Sequence, residues 1–168
     1  GAISTDIGEA FPSLDRDWVL MVLRRAGFPK ELVHWVAAVH VPSDVLVYYK
    51  GASLHKFTVY SGIKQGDPCA ATIWCIAFDP CIRALLLKIP PPVGATTAYM
   101  DDVLVGMKNI FESIGHVFAV FEMMGGAAAT RLKVAKTQIM MLWADSVARK
   151  RAALYERCPP AAGASIAN

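Results

Sequence analysis

Asp101 and Asp102 stand side by side in the tetrad Tyr99-Met100-Asp101-Asp102, between two short apolar runs at residues 96–99 and 103–107. Adjacent carboxylates repel, which costs stability unless a cation sits between them and a neighbour. Aspartate is also a common turn residue, and that plainer reading stands beside the first. Turns, however, usually join Asp to Gly or Asn, and here the flanking residues are Ala98, Tyr99, Met100 and Val103. A third carboxylate, Asp6, falls within the apolar, strand-like stretch 2–7, where an unpaired charge is expensive. If that strand lies beside the hairpin, three carboxylates converge. Such a set suits hard divalent cations such as Mg²⁺, with Mn²⁺ as a substitute, because these ions want oxygen ligands. Two ions about 3.5–4 Å apart can activate an attacking hydroxyl and stabilise a leaving pyrophosphate.

The elements that must position these groups can be read from periodicity. Asp15 is placed to cap a helix over 16–26, with Trp18, Val19, Val22, Leu23 and Ala26 on one face and Gly27 as its stop. Pro29 opens a second helix to about His40, with Leu32, Val33, Val36 and Val39 as its stripe. Residues 44–50 and 55–60 are rich in Val, Tyr, Phe and Thr and predict a hairpin turning at Gly51. Residues 61–68, with two glycines and a proline, read as a loop. A nearly all-apolar helix over about 70–88 follows, expected to be buried on most sides and ended by Pro90-Pro91-Pro92. The runs 96–99 and 103–107 form a second hairpin. Asn109 with Glu112 opens a helix to about Met124, stopped by Gly125-Gly126. Residues 138–143 read as a strand, Asp145 as the cap of a basic helix to about Arg157, and residues 159–163 as frayed. Strands and helices mixed with hairpins argue for an α+β sandwich, a small antiparallel sheet with helices packed on one face.

Composition narrows the function classes. The 168 residues are 55% hydrophobic and 18% charged, which excludes intrinsic disorder. It also suggests a face that docks on something else. The longest nearly apolar stretch, 69–78, interrupted only by Thr72, stops at Asp79, so no membrane-spanning segment is expected. The start lacks the basic and long apolar regions of a signal peptide, and the absence of an initiator Met suggests an excised segment. Cys69, Cys75, Cys81 and Cys158 form no CxxC pair and do not cluster with His34, His40, His55 or His116. Reduced, mostly buried thiols are expected rather than a zinc site or disulfide scaffold. The net charge of +3 is uneven: from Arg131 onward seven Lys/Arg face only Asp145 and Glu156. This suits a polyanion partner, and equally a solvated helix.

Four blocks occur in order: Asp6-Ile7-Gly8-Glu9-Ala10-Phe11, Gly62-Ile63-Lys64-Gln65-Gly66-Asp67-Pro68, Tyr99-Met100-Asp101-Asp102, and Lys136-Thr137. Together they resemble the palm of a reverse transcriptase, an RNA-directed DNA polymerase. Within that family they are most similar to the non-LTR retrotransposon and group II intron branch. The resemblance runs from about residue 3 to residue 143. Met100 is the choice familiar from retroviral members, where the non-LTR branch usually has Ala. Pro12 stands where Asp is common, Lys133 where Asn is expected, and Cys69, Ala70 and Ala71 replace the usual residues after Pro68.

The resemblance implies a polymerase palm with its catalytic hairpin at the Tyr-Met-Asp-Asp turn. Asp6 and Asp101 would hold two Mg²⁺ ions, with Asp102 the looser third carboxylate and Lys136 the cation near the leaving pyrophosphate. Phe11 would exclude a 2′-hydroxyl, its ring leaving no room for one more oxygen. Ile7 and Gly8 would offer backbone contacts to the triphosphate. Gln65, Gly66, Tyr99 and Met100 would line the nucleotide site. The implied partners are an RNA template, a DNA or RNA primer and a dNTP, with no membrane, in the nucleus or cytoplasm. Fingers would precede residue 6 and a thumb would follow the last strand. The whole of 1–168 is therefore expected to be a palm core from a retrotransposon-like polyprotein, inactive or nearly so alone. Two alternatives remain: a non-catalytic nucleic-acid-binding remnant, and another palm-type nucleotidyl transferase.

Overall fold

Alternation makes the first strand. In β1 (Ala2–Thr5) the side chains of Ile3 and Thr5 are buried while Ala2 and Ser4 are half-exposed. The computed structural model describes residues 1–143 and 145–167, which form two compact units. One unit comprises residues 1–10 and those from 78 onward; the other comprises 11–77.

The first unit is built on a five-stranded sheet. β1 lies at its centre, between β6 (Asp102–Met107) and β8 (Gln138–Met140), antiparallel to both. β5 (Gly94–Tyr99) pairs antiparallel with β6 at one edge. β9 (Ser165–Ala167) pairs with β8 at the other edge, and this pair is parallel. Val103, Val105, Met107 and Ile139 join Ile3 on one buried face. That face is apolar because only one side of the sheet is covered. The helix α5 (Ile110–Ala128) supplies the other half of the core with Ile110, Ile114, Val117, Phe118, Phe121 and Met124. The Phe121 ring meets Phe78 at a centroid distance of 6.4 Å.

The second unit contains a short helix, α1 (Ala10–Ser13, its first residue in the other unit), then α2 (Arg16–Arg25) and α3 (Lys30–Val39). Asp15 caps α2 by accepting from the Trp18 N–H at 2.8 Å. Val19, Val22 and Leu23 of α2 and Val33 and Val36 of α3 are buried. The strands β3 (Ser43–Tyr49) and β4 (Ala52–Val59) form a separate hairpin with both faces largely exposed.

Several expectations are corrected. The helix α4 (Ala70–Lys88) has the expected bounds but is not buried on most sides. Its buried residues, Ala70, Ile73, Trp74, Ala77, Phe78, Cys81 and Leu85, follow a single stripe at three- and four-residue steps. Leu87 is 81% exposed. This helix is long and apolar enough to cross a membrane by length and composition alone, but its stripe belongs to the core. The helix α5 does not stop at the two glycines; it runs to Ala128 and ends where Ala129 turns left-handed, φ 58°. The basic helix α6 (Val147–Arg157) is capped by Ser146, whose hydroxyl accepts from the Arg149 N–H, not by Asp145. Residues 159–163 are a 3₁₀ helix rather than frayed chain, and they deliver β9 to the sheet. The four cysteines form no disulfide, but only Cys81 and Cys158 are buried.

Candidate active site

Asp6 sits at a break in pairing. Up to Thr5 the chain belongs to the central sheet, with Thr5 opposite Val103 and its hydroxyl donating to the Val103 carbonyl at 3.2 Å. From Ile7 it belongs to a second ladder, in which β2 (Ile7–Gly8) pairs with β7 (Arg131–Leu132). The Lys133 N–H donates to the Asp6 carbonyl at 2.8 Å and fixes the step between them. Asp6 is thus not buried within a continuous strand, as its apolar neighbours suggest. Its side chain is 38% exposed at the junction.

The register brings the other carboxylates to this end of the sheet. Tyr99 lies opposite Asp102, so Met100 and Asp101 are the two-residue tip of the β5–β6 hairpin. Such tips favour a positive φ, and Met100 adopts φ 55°, a conformation glycine normally supplies. Asp102 is one residue from Val103, as Asp6 is one residue from Thr5, so both follow from a paired position at the same sheet end. Asp101 is half-buried and Asp102 and Tyr99 are exposed. Among the described residues, no three His, Cys, Asp or Glu side chains are drawn together closely enough to hold a metal ion. The near neighbour of Asp6 is instead Lys136, whose Nζ lies 3.6 Å from Oδ2.

Lys136 ends a 3₁₀ turn, Val134–Lys136, immediately before β8. The turn is pinned by buried Thr137, whose N–H donates to the carbonyls of Lys133 and Val134. Thr137 thereby fixes where the lysine stem leaves the backbone. Ile7 is buried and Gly8 half-buried. A Cβ on Gly8 would meet only ordinary contacts, the nearest 3.7 Å away at the Arg131 carbonyl.

In the second unit, Phe11 and the loop 61–68 are joined. The Phe11 carbonyl accepts from the Ile63 N–H at 2.9 Å, and the Leu14 carbonyl accepts from Gly62 at 3.0 Å. The half-buried Phe11 ring packs on Trp74, centroids 5.3 Å apart. Gln65 and Gly66 are exposed, with Gly66 at φ +89° and no atom within 4 Å of where a Cβ would stand. Sequence reasoning missed Arg16, His40 and Asp67, which hold this loop. The available signal was a histidine at the end of the α3 apolar stripe. Burial lowers the pKa of His40 from its ordinary value, Asp67 opposes that shift, and Arg16 and Lys64 reinforce it.

Comparison with known proteins gives a consistent family. The family model described as "Reverse transcriptase (RNA-dependent DNA polymerase)" matches residues 1–156. A retrovirus-related Pol polyprotein from a type-2 retrotransposable element of Drosophila melanogaster is 29% identical over 104 residues, 60% of this chain and 10% of that protein. An uncharacterized transposon protein of Xenopus laevis is 22% identical over 117 residues, 66% of this chain and 9% of that protein. The chain therefore spans about a tenth of the curated relatives it matches. Apo telomerase from Candida tropicalis, truncated from its C-terminal domain, shares the fold with TM-score 0.62 at 13% identity, covering 81% of this chain and 29% of that one.

Proposed function

The chain belongs to the reverse transcriptase family, and from that premise we propose that it is the palm of an RNA-directed DNA polymerase of the non-LTR retrotransposon kind. It would extend a primer 3′-hydroxyl with dNTPs along an RNA template. The observation that carries this reading is the shared register of Asp6 and the Asp101–Asp102 tip. Two carboxylate-bearing segments separated by nearly a hundred residues meet at the same end of one sheet. The donor set, all carboxylate oxygen at an accessible rim, fits a hard divalent ion. Asp6 and Asp101 would hold two Mg²⁺ ions, or Mn²⁺, with Asp102 the looser ligand. Bound there, the metals would lower the barrier for attack by the primer hydroxyl and offset charge on the departing pyrophosphate.

The chain's own residues supply the rest. Lys136, paired with Asp6 and exposed, would exchange that partner for the pyrophosphate, where charge develops in the transition state. Gly8 lets the backbone approach phosphate oxygens without a side chain in the way. Phe11, seated on Trp74, would present a rigid ring edge to the incoming sugar and reject a 2′-hydroxyl sterically. Gln65 would offer its amide to sugar or base, with Gly66 giving close approach. Phosphate contacts position nucleic acid without reading sequence, so template preference should be weak.

The test is primer extension by the full-length protein on an RNA template, with Asp101→Asn as the comparison. The variant should lose activity by about a thousandfold or more while keeping the parent's melting temperature, because a half-buried residue at a hairpin tip contributes little to core packing. Extension without a template would favour another palm-type transferase. Absence of extension in the parent, with intact folding, would favour a non-catalytic remnant.

A further inference from the structure

We propose that Arg16 and His40 are positioning residues that clamp the two ends of the loop 61–68, so that its middle, Lys64-Gln65-Gly66, stands out as a preset surface for the incoming nucleotide. The nucleotide-facing half of this statement rests on the polymerase reading; the clamp does not.

At the upstream end, Arg16, the first residue of α2, donates from Nε to the Gly62 carbonyl at 2.9 Å and from Nη2 to the Ser61 carbonyl at 3.2 Å. The N–H groups of Gly62 and Ile63 donate back to the carbonyls of Leu14 and Phe11. Gly62 has φ +82°, and a Cβ there would lie 2.4 Å from the Pro12 carbonyl oxygen. No other residue fits so close an approach.

At the downstream end, Asp67 accepts from the Cys69 N–H at 2.8 Å through Oδ1 and turns Oδ2 toward His40 Nε2 at 3.5 Å. The side chains of His40 and Asp67 are 5% and 10% exposed respectively. Both ring nitrogens of His40, Oδ2 of Asp67 and Nη1 of Arg16 are buried and make no hydrogen bond among the described residues. Buried polar atoms are costly to isolate, so the 3.5 Å approach of His40 Nε2 to Asp67 Oδ2, short of a hydrogen bond, is favoured over separating the two groups within the same buried site.

Between these ends the chain is held by a turn in which the Lys64 carbonyl accepts from the Asp67 N–H at 3.3 Å. Lys64, Gln65 and Gly66 are exposed, and Gly66 has a positive φ with open space around it. The two glycines therefore differ in kind. Gly62 is required by a backbone already present, whereas the space at Gly66 faces outward and admits the approach of something else. Rigid ends and an open middle fix where Gln65 points before a nucleotide arrives, which is how positioning lowers a barrier without touching the reacting atoms.

The test uses the full-length protein with His40→Ala and Arg16→Ala, and with His40→Gln and Arg16→Lys as controls that keep a polar group toward Asp67 and a cationic donor toward the loop carbonyls. Amide hydrogen exchange at residues 62–67 should accelerate about tenfold or more in the alanine variants, and much less in the controls, while amides of Ile114 and Val117 in α5 stay unchanged. The KM for dNTP should rise about tenfold with kcat altered less than about threefold. Where alanine leaves a hole that unfolds the chain, His40→Phe fills the volume without a polar atom to face Asp67 and must give the same local acceleration. Unchanged loop exchange overturns the clamp, and so does equal acceleration in α5 or failure of every alanine and phenylalanine variant to fold, since each would make these residues general supports. Accelerated loop exchange with an unchanged KM keeps the clamp and removes its nucleotide-facing role, whatever the fate of the polymerase reading.

Discussion

Phe11, Asp6 and His40 each show how far a residue's chemistry follows from its type and how far from where the chain puts it. If Phe11 sets sugar choice, Phe11→Val should admit ribonucleotides, raising their incorporation relative to dNTPs by about tenfold or more, since removing a steric block relieves a repulsion worth at least one factor of ten. Competition assays on the full-length protein read this ratio directly, and unchanged discrimination would return Phe11 to a packing role on Trp74. His40 gives a pH dependence. Burial favours its neutral form, so its pKa in the folded state lies below the ordinary 6.5. Between that lowered value and about 6.5 the unfolded chain binds more protons, and stability therefore rises with pH across the window. Full stabilisation is present above the window and is lost as pH falls through it. Melting temperatures should drop as pH is lowered from 7 toward 5, and the slope should be shallower in His40→Phe. Asp67, Arg16 and Lys64 are the charged groups acting on the ring, and they are common to both proteins. The hairpin tip that carries Asp101 and Asp102 was legible in the sequence because two apolar runs flank it, whereas the half-exposed junction at Asp6 was not, because its apolar neighbours belong to two different ladders. Arg16 and His40 were not, because their roles depend on a loop about forty-five and twenty-five residues away, which no local pattern reports.

Elements were legible where a single local force sets them. The starts of α2 and α5 follow from Asp15 and Asn109, whose side chains accept backbone N–H groups within the first turn. Ends were harder. Gly125 and Gly126 look like a stop, yet α5 continues for two more residues because Met124 and Ala128 are buried one turn apart. Burial outweighs the intrinsic preference of glycine, which costs only about 1 kcal/mol per residue. Two substitutions test this. A Cβ at exposed Gly126 would meet no atom within 4 Å, so Gly126→Ala should stabilise by about 0.5–1 kcal/mol. Ala129 carries the left-handed φ that closes the helix, so Ala129→Gly should add about 1 kcal/mol. Denaturant unfolding measures both, and destabilisation by either would mean that the helix end is set otherwise. The parallel strand β9 was illegible for a different reason. Its three residues carry no period, and it exists because the Thr137 carbonyl accepts from both the N–H and the hydroxyl of Ser165.

Across the whole chain, the α+β class and the hairpin order could be read in advance, because alternating runs and glycine turns fix local pairing. The division into two units could not, since it depends on which long-range pairs form. The charge excess after Arg131 is partly spent on the fold: Lys150 is buried, and the Arg157 guanidinium lies 4.9 Å above the Phe111 ring. The β3–β4 hairpin keeps Tyr48, Tyr49, Leu54 and Phe57 exposed, and a two-stranded ribbon of this kind is marginal without cover. Positioning supplies much of the rate in phosphoryl transfer, so the 168 residues expressed alone should extend primers at least about a hundredfold more slowly than the full-length protein. Comparable multi-nucleotide extension by both would refute that. The most direct measurement of the central claim is calorimetric titration of Mn²⁺ into the full-length protein and its Asp101→Asn variant. Saturable binding that is strongly weakened in the variant is the outcome expected if the acids at this end of the sheet act together. Binding that survives the substitution undiminished, or no binding in the parent, would contradict it.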